Sequence, residues 1–526
     1  MKTPHYLTVE RLGFALLALA ATGALYSLYT ALRPEKMLTI AVRQGVESVA
    51  LKKVAERFSR EHGVTVKIEE FPYDELFAQE REQLRFHSNM HPEPKSAFDV
   101  VMVDDPWMPG LLIDPTDTEG NDPEKYRLKK LDPKTYEQDY GLTDFAKSAL
   151  SVASYCAKEG SCNDYYGVPF VGNSQIFCYN ADDIQDIGVL HTWDQVKEMS
   201  NKLQDKTQEL GYVTRIGPNN SIVTDFMPIL WAYDEKGLQG RFEAGVEPFG
   251  KGKEKEASMA FQTMVELVRK QKAGGISVDD FDVAAYLARG RASMGIVWSA
   301  WAMSLMSIQS DQKAQDAQKN SEDQKNAQAD HKRPTLKCAG MPGGKPELGV
   351  WLLAIPRTAA MPDEAEEFIK YATSKDQLLI AAAQGNPPPR KSVLREPLEL
   401  EKEAHQDSDQ DEDSEDLDCS RQSMRESDYS KCMARIRRVI HDRYVDLFPT
   451  QLKSLEAAQP RPRSRCWTEM EKVLGNRLQQ LILLDANNSQ QLSQAAAVAV
   501  SQAKQDMDSL TKRKCWESKR NSGDYH

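Results

Sequence analysis

The chain has 526 residues, which is enough for two or more domains at the usual size of ~150 residues per domain. Its 79 acidic residues outnumber its 67 Lys and Arg residues, so its formal net charge is −12. This acidic balance, with hydrophobic residues at 40%, is typical of a soluble globular protein and disfavours nucleic-acid binding, which requires a basic surface.

The N-terminus carries a candidate membrane segment. Residues 13–32 contain no charged side chain and are preceded by Lys2 and Arg11. A stretch of ~20 residues is long enough to cross a bilayer, and the basic flank would hold residues 1–12 in the cytoplasm. We predict either a cleaved signal peptide or a retained anchor, and favour the anchor slightly. The rest of the chain is then expected in the periplasm, tethered to the inner membrane if the anchor is retained.

Strand-like and helix-like patterns alternate over residues 37–103. Short apolar runs at 37–42, 64–68 and 98–103 predict strands, and charged amphipathic segments at 49–62 and 73–86 predict helices. This alternation is typical of a mostly parallel sheet flanked by helices, in which ligands bind at the carboxyl ends of the strands.

Polar side chains follow the first and third of these strands. Gln44 and Glu47 come after the first strand, and Asp104, Asp105 and Trp107 come after the third. We expect them to contact a ligand at one edge of the sheet, although the two aspartates could instead cap the next helix. Adjacent carboxylates on a strand point to opposite faces, which is poor geometry for acid and base catalysis.

The segment 166–180 (YGVPFVGNSQIFCYN) predicts an extended strand. Its residues alternate at the period of a half-buried strand, and its middle holds small and polar residues that include Asn173 and Gln175. Such a middle suits a place where the chain crosses between two domains and a ligand approaches the backbone. An ordinary edge strand is the alternative.

The remaining patterns are mostly helical, with polar stretches between them. A strand ending at Trp298, shortly before Trp301, is a second candidate crossing. Residues 309–336 and 399–432 are polar or acidic and are interpreted as solvated insertions, and 511–526 as a frayed tail. We predict helices at 193–203, 222–233, 257–272, 281–288, 362–371, 431–447 and 468–484, and a buried strand at 348–355.

Eight cysteines fit an oxidising compartment better than a metal site. No CxxC pair or Cys/His set has zinc-binding spacing, so no metal or cofactor is predicted. Cys156 with Cys162, and Cys419 with Cys432, are close enough in sequence to close local loops. Spacing alone does not determine the connectivity.

Six motifs together, in this order, resemble the extracellular solute-binding proteins of ABC importers, a family that includes maltose-binding and other sugar-binding proteins. The motifs are VAERFSREHG, FDVVMVDDPWMPGL, YYGVPFVGNSQIFCYNADDI, HTWDQVKEMSNKL, ARGRASMGIVWSAW and MPGGKPELGVWLLAIP. The resemblance covers about residues 37–510 and implies a two-lobed α/β fold of the type II periplasmic binding class. The implied lobes are 37–168 with 297–362 and 169–296 with 363–510, joined by hinge crossings. The chain departs from the family in lacking a lipobox cysteine.

The resemblance also implies a ligand site between the lobes. Trp467 falls where maltose-binding relatives place an aromatic side chain, and Trp231 is a further candidate, whereas Trp351 is assigned to the core. The predicted ligand-binding residues are Gln44, Glu47, Asp104, Asp105, Trp107, Asn173, Gln175, Trp231, Trp298, Trp301 and Trp467.

The function implied is capture of a sugar or oligosaccharide and its delivery to ABC permease subunits in the inner membrane. A polyol, a glycerol phosphate or a small peptide is an alternative ligand, and a phosphate ester would need arginines such as Arg43 and Arg390. A membrane-anchored sensor or interaction module with the same fold is the alternative function. An enzyme is disfavoured, because GxSxG, P-loop, HExxH and GxGxxG motifs are absent.

Overall fold

The computed structural model shows an α/β protein. It describes residues 36–84, 94–113, 126–131, 137–138, 140–155, 164–207, 209–216, 220–238, 249, 252–273, 278–318, 334–403, 419, 424–484 and 488–512. The strands are β1 (Met37–Arg43), β2 (Thr65–Phe71), β3 (Val100–Asp104), β4 (Val168–Asn180), β5 (Met294–Trp298), β6 (Leu336–Ala339) and β7 (Leu348–Ala354).

The first half of the chain contributes α1 (Val46–His62), α2 (Tyr73–Gln83), α3 (Met108–Leu112), α4 (Lys147–Ala153), α5 (Trp193–Thr207), α6 (Asn220–Tyr233) and α7 (Glu254–Ala273). The second half contributes α8 (Asp280–Ala288), α9 (Ser299–Gln318), α10 (Pro362–Ala372), α11 (Lys375–Ala383), α12 (Lys391–Glu403), α13 (Glu426–Tyr444), α14 (Phe448–Ala457), α15 (Trp467–Leu483) and α16 (Ser489–Lys512).

Local sequence signals explain several helix starts. The backbone N–H of Gln195 donates to the Thr192 hydroxyl at 3.3 Å, and the Gln195 side chain accepts from the Thr192 N–H at 3.0 Å. This reciprocal pair is the capping box predicted for α5. Asp279 makes the same kind of box at the start of α8, with its carboxylate accepting from the N–H of Asp282 at 3.0 Å.

The seven strands form a mixed sheet, not a mostly parallel one. Their order is β2-β1-β3-β7-β4-β5, with β6 also paired to β4. Within the described chain, β1 pairs in parallel with β2 and β3, whereas β3–β7 and all pairs of β4 are antiparallel. The β-α-β series thus predicts the first three strands correctly. Strand β4 runs in the same direction as these three strands, whereas β5, β6 and β7 run in the opposite direction.

Strand β4 is buried along all 13 residues, although the alternating pattern predicted half burial. Residues 168–174 pair with β7, and residues 175–180 pair with β5 and β6. Helices α4, α9 and α14 also pack on the strand, so both of its faces are covered. Gly172 is required here: a Cβ atom would lie 2.6 Å from the Pro388 carbonyl oxygen, and its N–H donates to the Pro387 carbonyl at 2.7 Å.

The described residues form two hydrophobic cores. The first contains β1, β3, β7 and the helices from α10 to α14, and the second contains α5, α6, α7, α15 and α16. Within the segment predicted as part of the second lobe, 363–510, the buried residues up to Ala458 pack in the first core and those from Cys466 pack in the second. Helices α10 and α11 pack on α1, with Phe368 meeting Phe58 edge to face at 5.2 Å between ring centroids. After residue 363, the chain passes from the first core to the second at about residues 458–466.

Two disulfides are described in full. Cys419 is bonded to Cys432, one of the two local pairs considered from the sequence, and Cys178 of β4 is bonded to Cys338 of β6. Cys156 and Cys162 lie outside the described residues, as do the candidate membrane segment 13–32, the tail from 513 and much of both insertions. The part of the first insertion from 309 to 318 continues helix α9. None of the described helices combines the length and apolar character required to cross a bilayer.

Candidate functional site

A polar cavity of about 160 Å³ lies where segments from the two cores meet. One side is formed by Arg43 at the end of β1, Tyr73 of α2 and Asp104 at the end of β3, with Gly349 and Trp351 of β7. The cavity therefore lies at the carboxyl ends of the parallel strands, where open α/β sheets bind their ligands.

The opposite side combines α6, which packs in the second core, with α8, whose buried residues Val283, Ala284 and Leu287 belong to the first core. It is formed by Arg215, by Ser221 and Thr224 of α6, and by Asp280 at the start of α8. Three further lining residues lie on segments that connect the two cores: Asn173 on β4, Trp298 at the end of β5 and Arg461 between α14 and α15. A movement of one core relative to the other would thus change the width of this cavity.

Arg461 is the centre of a buried ion-pair network. Its Nη2 donates to Asp104 Oδ1 at 2.7 Å and to Asp105 Oδ1 at 3.1 Å. Its Nε lies 3.3 Å from Glu347, and its Nη1 lies 3.9 Å from Glu471 of α15. Arg461 is 3% exposed, so these charges are shielded from solvent. The network joins the end of β3, the segment before β7 and the first turns of α15.

Burial shifts the acids of this network toward their neutral form. Burial, opposed by Arg461, raises the pKa of Asp105 to about 8 and that of Glu471 to about 7. Burial also raises the pKa of Glu347 well above its usual range. Asp104 accepts a hydrogen bond from the Tyr73 hydroxyl at 2.7 Å, and burial and this aspartate raise the pKa of Tyr73.

The raised acid pKa values predict that stability falls as the pH rises from about 4 to about 8. An aspartate with a pKa of ~3.9 when unfolded and about 8 when folded binds its proton more tightly in the native state, so stabilisation is lost as the pH rises through that range. In Asp105→Asn, whose amide does not titrate, we expect a flatter fall of the melting temperature. Thermal unfolding at several pH values checks this.

Asp508→Asn is the matched control for that experiment, because Asp508 lies on the exposed face of α16 beside Lys512. Its melting temperature should follow the wild-type pH dependence. Equal slopes for wild type and Asp105→Asn would show that Asp105 does not take up a proton on folding.

A second ion-pair group holds the other side of the cavity. The Arg215 guanidinium donates to Asp225 and, through Nη1, to Asp280 at 2.6 Å. Asp225 also accepts from the Thr214 hydroxyl at 2.5 Å and from the N–H of Arg215 at 2.9 Å. The two acids raise the pKa of Arg215 against the opposing effect of burial, so it remains a cation.

Aromatic rings complete the walls. Tyr73, Trp107 and Trp351 pack together, with ring centroids 4.6 to 6.0 Å apart. Trp298 lies directly on Gly349, where a Cβ atom would be 2.7 Å from its ring, and the Arg215 guanidinium lies 5.3 Å from the Trp298 ring centroid. These contacts fix the Trp298 ring at the edge of the cavity.

The structure brings three of the eleven predicted ligand residues to the cavity wall: Asp104, Asn173 and Trp298. Glu47 and Asp105 lie just behind it, paired with Arg43 and Arg461 respectively. Gln44 is exposed beyond the end of β1.

The other five predicted residues have contacts elsewhere. Gln175 is buried and donates to the Thr224 carbonyl at 2.7 Å, and Trp107 packs under Tyr73. Trp231 and Trp467 belong to the second core, with Trp231 Nε1 donating to the Gly237 carbonyl at 2.8 Å. Trp301 is half-buried against Phe281. Arg390, considered for phosphate binding, instead donates to the Thr373 and Tyr140 carbonyls.

Several lining residues were missed by sequence reasoning. Trp351 lies in an apolar strand and was assigned to the core, although it also faces the cavity. Arg215 and Arg461 lie in short irregular segments far from the predicted strand ends. The proline and arginine run around Arg461, QPRPRSR, is the signal that could have identified an ordered connection.

Comparisons with known proteins show what this chain resembles. Residues 44–378 match the family model of bacterial extracellular solute-binding proteins. No relative was found among curated protein sequences.

Solved structures of similar fold were found. Maltose-bound MalE3 of T. maritima aligns with a TM-score of 0.60 and 18% identity over 90% of this chain and 99% of that one. An ABC transporter solute-binding protein of Thermotoga lettingae TMO bound to α-D-tagatose aligns with a TM-score of 0.60 and 14% identity, over 91% of this chain and 100% of that one. A D-mannitol-bound solute-binding protein of Agrobacterium vitis S4 aligns with a TM-score of 0.57 and 17% identity, over 92% of this chain and 99% of that one.

At these identities the structural matches establish the two-lobed α/β fold and no more. The family match extends over more than half of the chain. The protein therefore belongs to the family of bacterial extracellular solute-binding proteins.

Proposed function

We propose that this protein captures a carbohydrate in the cavity between its two cores and delivers it to an ABC permease. The observation that carries the proposal is the cavity itself, which is polar, bordered by tryptophans and formed by residues from both cores and their connections. Sugars present many hydroxyl groups and apolar C–H surfaces, so carboxylates, amides and aromatic rings are the groups that bind them. The titles of the similar solved structures name maltose, α-D-tagatose and D-mannitol as ligands of those proteins.

Asp104, Asn173, Thr224 and Asp280 supply hydrogen-bonding groups on both sides of the cavity. Trp298 supplies an apolar surface. The volume of about 160 Å³ is close to the roughly 150 Å³ of an engineered cavity that holds one benzene ring. A single sugar ring or a short polyol is therefore the ligand size that this form of the cavity favours, rather than an oligosaccharide.

Capture would use a hinge at the connections between the cores. Asn173, Trp298 and Arg461 each lie on such a connection and each line the cavity. A ligand that contacts residues from both cores stabilises the closed arrangement by its additional contacts. The closed protein would then dock on permease subunits in the inner membrane.

We assign the protein a binding role rather than an enzymatic one. The acids nearest the cavity are engaged with Arg461, Arg215 and Tyr73, so they hold charges in place instead of standing free as an acid and base pair. We also propose a location in the periplasm, which the family match supports, with residues 13–32 serving as signal peptide or anchor.

The test is a ligand panel with the full-length protein. Mono- and disaccharides, hexitols and sugar phosphates are screened by thermal shift, and hits are measured by isothermal titration calorimetry. A ligand that binds only the folded state raises the melting temperature, and at 100 times its Kd it adds about 2.7 kcal/mol to the free energy of unfolding. We expect at least one sugar or polyol to do so. Shifts with a small peptide but with no member of this panel would contradict the proposal.

A further inference from the structure

Three of the charged side chains that line the cavity are arginines, although the chain is acidic overall. Three arginines (Arg43, Arg215 and Arg461) and two aspartates (Asp104 and Asp280) line it, and Glu47 and Asp225 pair with Arg43 and Arg215 from behind the wall. The whole chain, by contrast, has a net charge of −12. Charged side chains in a partly enclosed site are costly unless they are paired, so the charges of this wall indicate the charge of the ligand group that binds there.

The three arginines are not equivalent. Arg215 and Arg461 are each 3% exposed and donate to two carboxylates. The Arg43 side chain is 28% exposed and makes one hydrogen bond within the described residues, from Nη1 to Glu47 at 3.1 Å. Its Nε and Nη2 donors therefore remain available to a bound molecule.

Arg43 is nevertheless fixed in place. Its guanidinium carbon lies 5.9 Å from the Tyr73 ring centroid and 5.7 Å from that of Trp351. Burial lowers the pKa of Arg43, but Glu47 and Asp280 raise it by more, so the side chain is a permanent cation. A stacked guanidinium with two neighbouring free N–H donors is the geometry that binds a carboxylate or phosphate through two oxygens.

A carboxylate of the protein already lies between the arginines of the two sides. Asp280 Oδ1 accepts from Arg215 Nη1 at 2.6 Å, whereas its Oδ2 lies 3.9 Å from Arg43 Nη2, beyond hydrogen-bond distance. The Asp280 carboxylate thus attracts Arg43 electrostatically but accepts no hydrogen bond from it. An anionic ligand group bound there would complete the coordination of Arg43 and compete with Asp280 for it.

We infer that the carbohydrate bound in this cavity carries an anionic group, a carboxylate or a phosphate, which binds the free Nε and Nη2 donors of Arg43. This inference rests on the proposed function and narrows it to acidic sugars or sugar phosphates. A neutral hydroxyl group accepts one ordinary hydrogen bond from Arg43, whereas a carboxylate or phosphate accepts two parallel, charge-assisted hydrogen bonds from its Nε and Nη2. Tyr73 and Trp351 hold the guanidinium in the orientation that this contact needs.

The experiment compares matched ligands by isothermal titration calorimetry with the full-length protein. The series are glucose, glucuronate and glucose 6-phosphate; galactose, galacturonate and galactose 6-phosphate; and mannitol, mannonate and mannitol 1-phosphate. In at least one series we expect the acid or the phosphate to bind about 10- to 100-fold more tightly than the neutral member. The member with the larger preference identifies the anionic group as carboxylate or phosphate.

Two variants test the assignment to Arg43. Arg43→Gln should reduce the preference for the anionic member, taken as the ratio of the two affinities measured in the same variant, to about twofold or less. Asp280→Asn should strengthen binding of the anionic member several-fold, because it removes the competing carboxylate. Arg477→Gln makes the same change of net charge at a half-buried pair with Asp506 outside the cavity, and it should retain the wild-type preference.

The possible failures can be told apart. Neutral members that bind as tightly as their anionic partners in the wild type would overturn the inference and leave the proposed function standing. An anionic preference that survives in Arg43→Gln would overturn the role of Arg43. If no member of any series binds, the proposed function fails as well.

Discussion

Replacing Arg461 with methionine is expected to lower the free energy of unfolding by about 3–5 kcal/mol, the cost of removing one partner from a buried ion pair. The change leaves Asp104 and Asp105 adjacent, buried and without their shared cation. It also removes the attraction of Arg461 for Glu347 and Glu471, which connects three separate segments of the chain. Urea unfolding followed by tryptophan fluorescence at pH 8 measures the loss.

The same change at Arg477 serves as the control. Arg477 pairs with Asp506 on the surface of α15 and α16, and a surface pair contributes at most about 1 kcal/mol. The cost of Arg461→Met should also shrink at pH 5.5, where Asp105 and Glu471 are mostly protonated and need no cation. Losses of similar size for the two arginine variants would mean that the buried network does not stabilise the fold.

The sequence predicted the regular elements well where periodicity was strong. The first three strands, helices α1, α2, α5, α6, α7, α8 and α10, and strands β5 and β7 are confirmed within a few residues. Helices α11, α12, α14 and α16 were not predicted. Helix α11, for example, is buried on nearly all sides, so its sequence KDQLLIAAA lacks the alternation of polar and apolar faces that marks a helix.

Strand β4 shows a second limit of pattern reading. Its polar middle correctly indicated an unusual environment, but the pattern predicted half burial and the strand is buried throughout. The polar side chains are paired inside the protein: Gln175 donates to the Thr224 carbonyl, and Asn173 accepts from the N–H of Ala300 at 3.2 Å. A sequence does not reveal whether a polar side chain in a strand faces water or a buried partner.

The cavity was only partly predictable for a related reason. Asp104, Asn173 and Trp298 lie at strand ends or crossings, where residue type and position together indicated a site. Arg215 and Arg461 reach the cavity from irregular segments, and what brings them there is pairing with acids distant in sequence. Arg461 is 357 positions from Asp104, and no local pattern encodes a contact of that separation.

The position of Arg461 connects stability to function. It lies on the last connection between the cores, lines the cavity and binds the acids at the end of β3. The ion pairs of Arg461 hold this connection in one conformation. Breaking them would therefore alter both the stability of the protein and the shape of the ligand cavity. For this reason a ligand measurement needs a variant that alters the cavity without disturbing Arg461.

Trp298→Ala provides that variant, and we expect it to weaken ligand binding at least about tenfold, or 1.4 kcal/mol, as truncation of a central aromatic contact does. The Trp298 ring borders the cavity and lies on Gly349, so its removal widens the cavity and takes away an apolar wall. Calorimetric titration with the best ligand of the panel measures the loss.

Trp301→Ala is the matched control, because Trp301 is also half-buried, lies three residues further on, packs on Phe281 and does not line the cavity. It should keep the wild-type affinity even if the melting temperature falls.

Gly349→Ala is the complementary change, since a methyl group there would lie 2.7 Å from the Trp298 ring and force it to shift while every lining side chain is retained. If Trp298→Ala and Gly349→Ala both bind the ligand more weakly and Trp301→Ala binds it as the wild type does, an ordered Trp298 ring contacts the ligand. Unchanged affinity in Trp298→Ala would show that the ligand does not contact this wall of the cavity.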